Sequence, residues 1–173
     1  MLFRSDTLAL VRTAQEAGAP IQLVETTVAI NKARKRAMAD RIVAIAGGDL
    51  KGKTVALLGL TFKPNTDDMR DAPALDIVPT LQKAGARVQA FDPEGMDEAA
   101  KLLTDVTFCK NPYECVQGAD VLAIITEWDQ FRALDLKRMK TAMKTPLIVD
   151  LRNVYRPDEM REHGFTYVSI GRP

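Results

Sequence analysis

Thr54-Val-Ala-Leu-Leu-Gly-Leu-Thr-Phe-Lys-Pro-Asn-Thr-Asp-Asp-Met-Arg-Asp-Ala-Pro73 is the stretch whose reading decides the fold. The apolar run Val55 to Leu58 is too short for a helix and is bounded by Lys51-Gly52-Lys53 and Gly59, the pattern of a strand buried on both faces. A polar loop with a lysine, an arginine and several acids follows. Pro73 then suits the first position of a helix, where its missing N–H costs nothing. Strand, polar loop and helix in that order form the opening unit of a parallel sheet.

Working outward, the spacing predicts strands at 54–59, 87–91, 106–108, Val121–Ile125, Leu147–Val149 and 165–169. Between them it predicts helices at Pro73–Ala84, near 96–103, near 112–117 and near 135–143, and one from Asp158. Pro79 inside the first of these is expected to cost a hydrogen bond and to kink it. Alternation at such lengths requires parallel strands joined by right-handed crossovers, hence an α/β, doubly wound, Rossmann-like parallel sheet. Upstream, Asp6 is read as the N-cap of a short helix ending at Gly18, and Pro20 opens a long helix to about Ala46, closed by Gly47-Gly48. Ile21, Val24, Val28, Met38, Ile42 and Ile45 give that helix one apolar face, and part of this face needs a partner. The basic run Lys32, Arg34, Lys35, Arg36 is read as a solvated face. The expected division is a helical arm over 1–50 and the sheet domain over 51–173.

Composition narrows the function. The 173 residues suffice for one domain with an appended element. A balance of 24 basic against 23 acidic residues gives no global attraction to nucleic acid or membrane, so an anion site must be local. One histidine and two cysteines, Cys109 and Cys115, make neither a metal-ligand set nor a disulfide framework, which fits a reducing, cytoplasmic setting. No apolar run approaches about 20 residues, and no signal peptide is recognisable.

In open parallel sheets, ligands bind outside the carboxyl ends of the strands. The densest polar clusters fall there: Thr61, Lys63 and Arg70 after the first strand, Thr126-Glu127-Trp128 after the fourth, and Asp150-Arg152-Asn153 after the fifth. Lysine and arginine from separate loops suit a pyrophosphate, so the physical inference is an anionic, nucleotide-like ligand. Gly-x-Gly-x-x-Gly is missing after the first strand, where only Gly59 is present, so a standard dinucleotide contact is not expected. Asp92 ends the second strand where a ribose-binding acid would stand, but Pro93 follows and the segment is read as a turn. Trp128 reads equally as a site residue or as core with its N–H satisfied.

Leu-Gly-Leu-Thr-Phe-Lys-Pro-Asn-Thr-Asp-Asp-Met-Arg at 58–70 resembles the signature of the C-terminal domain of the UDP-glucose 6-dehydrogenases, within the family of nucleotide-sugar dehydrogenases. The resemblance continues through Ala-Phe-Asp-Pro (90–93), Asn-Pro-Tyr-Glu (111–114), Ile-Thr-Glu-Trp-Asp (125–129) and Val-Asp-Leu-Arg-Asn (149–153). It implies an NAD-dependent oxidation of UDP-glucose to UDP-glucuronate in two hydride transfers. NAD would be bound mainly by a domain outside this chain. It further implies that Lys63 contacts the UDP-sugar, that Arg152 lies close to the substrate, that Arg70 reaches NAD, and that the 20–46 helix forms a homodimer interface. Lys63 as a solvated lysine, and Arg70 as a partner of Asp67, Asp68 or Asp71, are the alternative readings.

Asp6 matches a catalytic aspartate of the family, but Leu2 stands where the family has its nucleophilic cysteine, and Arg4 and Ser5 replace a proline and a lysine. The expectation is a piece of a longer enzyme, inactive alone. A fragment acting on GDP-mannose or UDP-N-acetylmannosamine, or a non-catalytic nucleotide-sugar-binding module, stays open. Cys109, Cys115 and His163 are assigned no role.

Overall fold

The structure, a computed structural model, describes residues 4–172, with the side chains of Arg4 and Ser5 outside that description. Two compact units divide between Ala37 and Met38.

The first unit carries helix α1 (Arg4–Glu16) and most of helix α2 (Gln22–Ile45). Asp6 lies inside the first turn of α1, so it is not the N-cap expected from the sequence. A carboxylate there still faces the positive end of the helix dipole. Arg12 pairs with Glu16 at 3.0 Å, and Gln15 donates to Glu25 at 2.9 Å.

The second unit holds strands β1 (Thr54–Leu58), β2 (Arg87–Phe91), β3 (Val106–Phe108), β4 (Val121–Ile124), β5 (Leu147–Asp150) and β6 (Thr166–Ser169). They form one sheet in the order β3-β2-β1-β4-β5-β6, and every neighbouring pair is parallel. Strand order therefore reverses between β1 and β4, where Val55 pairs with Val88 on one side and Val121 on the other.

Alternate residues of the central strands enter two separate cores. Val55, Leu57, Val121, Ala123 and Val149 pack with Ala39 and Ile42 of α2, with Ala46 just after it, and with helices α3 (Ala74–Lys83) and α4 (Met96–Leu102). Ala56, Leu58, Leu122, Ile124 and Ile148 pack instead under α5 (Pro112–Cys115), α6 (Asp129–Arg132), α7 (Leu136–Ala142) and α8 (Pro157–Glu162). Both faces of β1 and β4 are thus covered, which explains their unbroken apolar runs.

Details of the elements depart from expectation in ways the chemistry explains. Pro73 caps α3 from outside the helix, and α3 runs through Pro79 as one helix. β5 extends to Asp150 because its carboxylate is buried and hydrogen bonded. The four-residue helix α6 has no periodic signal in the sequence, being held by the burial of Phe131. The thiols of Cys109 and Cys115 are free and buried.

Candidate functional site

At the carboxyl edge of β1 the chain leaves the sheet through Gly59, whose φ of 86° lies in the left-handed region. A Cβ at this position would lie 2.5 Å from Thr126 Cβ and 2.7 Å from Thr126 N. The glycine is therefore required by the close approach of the β1 and β4 exits. Leu60 and Thr61 follow, both fully buried, and Thr126 donates through Oγ1 to the Thr61 carbonyl at 2.7 Å.

The loop then turns outward and closes on itself. Phe62 N–H donates to the Asp68 carbonyl at 2.9 Å, the Asp68 N–H donates to Thr66 Oγ1 at 3.1 Å, and Asn65 takes a left-handed φ of 60°. Asn tolerates that conformation better than most residues. Met69, 4% exposed, anchors the returning chain. Lys63 stands exposed near the tip of this closed loop, and its ammonium has no hydrogen-bond or ion-pair partner among the described residues. The hydrogen bonds from Arg70 hold the Asp68 carboxyl below the usual range, and the charges of Arg70 and then Lys63 add to this. Arg70 donates through Nε and Nη2 to the two oxygens of Asp68, both at 2.9 Å, with its side chain 91% exposed.

After β4, Glu127 meets Arg152 from the loop after β5. The guanidinium forks onto the carboxylate through Nε to Oε2 and through Nη2 to Oε1, the latter at 2.6 Å. Partial burial raises the Glu127 carboxyl, but the Arg152 hydrogen bonds and charge outweigh it and hold the group below its usual value. Trp128 is buried, with its indole N–H donating to Asp92 Oδ2 at 3.1 Å. An open depression of about 450 Å³ lies beside it, lined by Asn65, Thr66, Asp67, Glu94 and Trp128. A larger hollow of about 680 Å³, between α5 and α7, contains none of the candidate residues, and its Arg138 already stacks on Tyr113 at 3.9 Å.

Two carboxylates that the sequence placed at strand ends, Asp92 in a turn and Asp150 in a ligand-facing cluster, are buried instead. Asp150, fully buried, accepts from the N–H groups of Arg152, Val154 and Tyr155 and from the Tyr167 hydroxyl, at 2.9, 2.7, 3.2 and 2.7 Å. Burial and then the charge of Asp150 raise the Tyr155 phenol; burial and the hydrogen bond to Asp150 raise that of Tyr167. Asp92, 1% exposed, accepts from Leu60, Thr61, Glu94 and Gly95 N–H groups as well as from Trp128. The signal for both was an acid directly after an apolar strand.

The candidates are thus partly assembled. Lys63 and Arg70 share one loop, Arg152 is engaged by Glu127, and Asn153 is bound to the backbone of Ile170 instead of facing a ligand. Asp6 belongs to the first unit, and Leu2 and Phe3 lie outside the described residues. Among the described residues no group of acids, cysteines and histidine could hold a metal, and no helix is long and apolar enough to cross a membrane.

Residues 56–157 match the family described as the UDP-glucose/GDP-mannose dehydrogenase family, UDP binding domain. The chain is 61% identical over 171 residues to a UDP-glucose 6-dehydrogenase of Rhizobium meliloti (strain 1021), covering 99% of this chain and 39% of that protein. It is 40% identical to one of Bacillus subtilis (strain 168), covering 99% of this chain and 37% of the relative. Among solved structures, a UDP-glucose dehydrogenase from Pyrobaculum islandicum superposes with a TM-score of 0.74 at 29% identity, over 94% of this chain and 35% of that one. This chain therefore spans well under half the length of the relatives it matches.

Proposed function

This chain belongs to the UDP-glucose/GDP-mannose dehydrogenase family, and from that premise we propose that residues 51–173 form the UDP-sugar-binding domain of an NAD-dependent UDP-glucose 6-dehydrogenase. The whole enzyme would oxidise UDP-glucose to UDP-glucuronate, in the cytoplasm. The observation that carries the reading is Lys63, an exposed cation that has no ion-pair partner among the described residues, on a closed, anchored loop beside the reversal of strand order. Such a point charge suits a phosphate oxygen. Arg152 would lie against the same ligand after leaving Glu127.

The residues here do not fit NAD in the usual dinucleotide position. Gly59 is filled against Thr126, and the acid after β2, Asp92, has its oxygens committed to its own loops. NAD binding is accordingly assigned to residues outside this sheet, with Arg70 reaching toward it and Asp6 serving the chemistry. Exposed Leu23 and Ile30, seven residues apart on α2, support a homodimer contact through that helix.

The test is calorimetric titration of the 173-residue chain with UDP-glucose, GDP-mannose and NAD, beside Lys63→Ala. Binding of UDP-glucose alone, lost in the variant, is the expected result. Preference for GDP-mannose, or binding that survives the loss of Lys63, would refute the assignment.

A further inference from the structure

Asp92 does more than turn the chain after β2. Its Oδ2 accepts from Leu60 N at 2.6 Å, Thr61 N at 3.1 Å, Thr61 Oγ1 at 3.2 Å and Trp128 Nε1 at 3.1 Å, and its Oδ1 accepts from Glu94 N at 3.1 Å and Gly95 N at 2.8 Å. Six donors from the exits of β1, β2 and β4 meet on one carboxylate that offers about four lone-pair sites. Thr61 extends the assembly. Its hydroxyl also lies 3.1 Å from the Lys63 carbonyl, and its own carbonyl is held by Thr126. The packing leaves no slack: a Cβ on Gly95 would lie 2.3 Å from Thr61 Cγ2.

We infer that Asp92 and Thr61 are positioning residues, a buried bracket that fixes the backbone under Lys63 and the ring of Trp128 in the arrangement that receives the nucleotide. The inference rests on the UDP reading of this domain. Neither residue would touch ligand. Charge-assisted bonds hold more strongly than neutral ones, so a single anion can order three loops that otherwise share little regular structure. The loop carrying Lys63 would then bind at little ordering cost, as preorganised sites do.

The test uses Asp92→Asn and Thr61→Val in the 173-residue chain, with Lys63→Ala as control. Asn replaces one acceptor by an amide N–H₂, which strands donors without changing shape. Val removes only the hydroxyl, so it keeps the test open should the first variant not fold. Trp128 is the sole tryptophan, and its emission reports the bracket directly.

Both variants are expected to weaken UDP binding about tenfold and to speed hydrogen exchange at Leu60 and Thr61 by a similar factor, with Leu122 and Ile124 unchanged. Asp92→Asn should also shift the Trp128 emission, whereas Lys63→Ala should lose UDP with exchange and emission intact. A uniform rise in exchange across the sheet, or selective loosening with UDP affinity unchanged, would overturn the positioning role. Should the unaltered chain bind no UDP, the reading of the domain fails separately. Exchange then decides the bracket: selective acceleration at Leu60 and Thr61 supports it, and unchanged rates overturn it.

Discussion

Gly59→Ala separates two roles that a glycine after the first strand of such a sheet can have. A glycine that admits a phosphate would, when replaced, lose ligand and keep stability. Gly59 is surrounded instead by protein: its added Cβ would stand 2.5, 2.7 and 2.9 Å from Thr126 Cβ, N and Cα. Those atoms cannot move freely, because Ile125 N–H is bound to the Leu58 carbonyl at 3.0 Å and Thr126 Oγ1 to the Thr61 carbonyl. A left-handed alanine costs about 1–2 kcal/mol, and overpacking a filled site about 1–3 kcal/mol. The reduced entropy of the unfolded alanine chain offsets about 0.4–1 kcal/mol. A net loss of about 2–4 kcal/mol remains, which for a domain of this size lowers Tm by about 10 °C. Thermal unfolding followed by circular dichroism measures it. A midpoint within about 2 °C of the unaltered chain, together with lost UDP affinity, would refute the packing account and make Gly59 a ligand contact.

Asp150→Asn should destabilise the chain by about 2–4 kcal/mol in urea titration, since bonds to a charged acceptor contribute more than neutral ones, whereas Tyr167→Phe, losing one 2.7 Å bond to the same carboxylate, should cost about 1 kcal/mol. The Glu127 carboxyl is held below its ordinary value of 4.5, so its contribution is present above that pH and is lost as pH falls through the lowered folded value. The stability difference between the unaltered chain and Arg152→Ala should accordingly be under about 1 kcal/mol at neutral pH, the pair being partly exposed, and should shrink and vanish as the carboxylate is protonated in acid; a difference that grows with acid would exclude the pair as its source. Leu23→Glu with Ile30→Glu, at positions 80% and 61% exposed, should convert a dimer to a monomer in sedimentation, and a monomeric unaltered chain would refute the contact.

What was legible followed from burial. Val55–Leu58 and Val121–Ile124 read as strands because both faces of a central parallel strand are apolar, and six strand-length segments separated by helical spacing leave few architectures other than the one observed. What was illegible was the fate of single polar groups. Asp92 and Asp150 look like loop acids, since sequence cannot say that a carboxylate will be enclosed by backbone donors from residues far along the chain. Arg70 carried two readings, and in the chain by itself the guanidinium does lie on Asp68, two residues away. Trp128 also carried two, and its N–H is satisfied inside the protein. The N-cap at Asp6 failed because helix α1 already includes Arg4 and Ser5 ahead of it, at an end where no periodic pattern fixes the start.

The buried anions also constrain how an anionic ligand could be held. Asp92 follows β2 and Asp150 ends β5, the strands that flank the central β1 and β4, so a buried carboxyl group lies on each side of the candidate site. Attraction must come from the exposed cations above. Two of these are already engaged, Arg70 by Asp68 and Arg152 by Glu127, and each must exchange a carboxylate for a phosphate to contribute. Exposed pairs contribute little, so the exchange costs little, but for the same reason it returns little. Among the described residues Lys63 has no such partner to give up. On the proposed reading, the net electrostatic gain on binding UDP would fall chiefly on this one ammonium, and the guanidiniums would act mainly through the geometry of their forks.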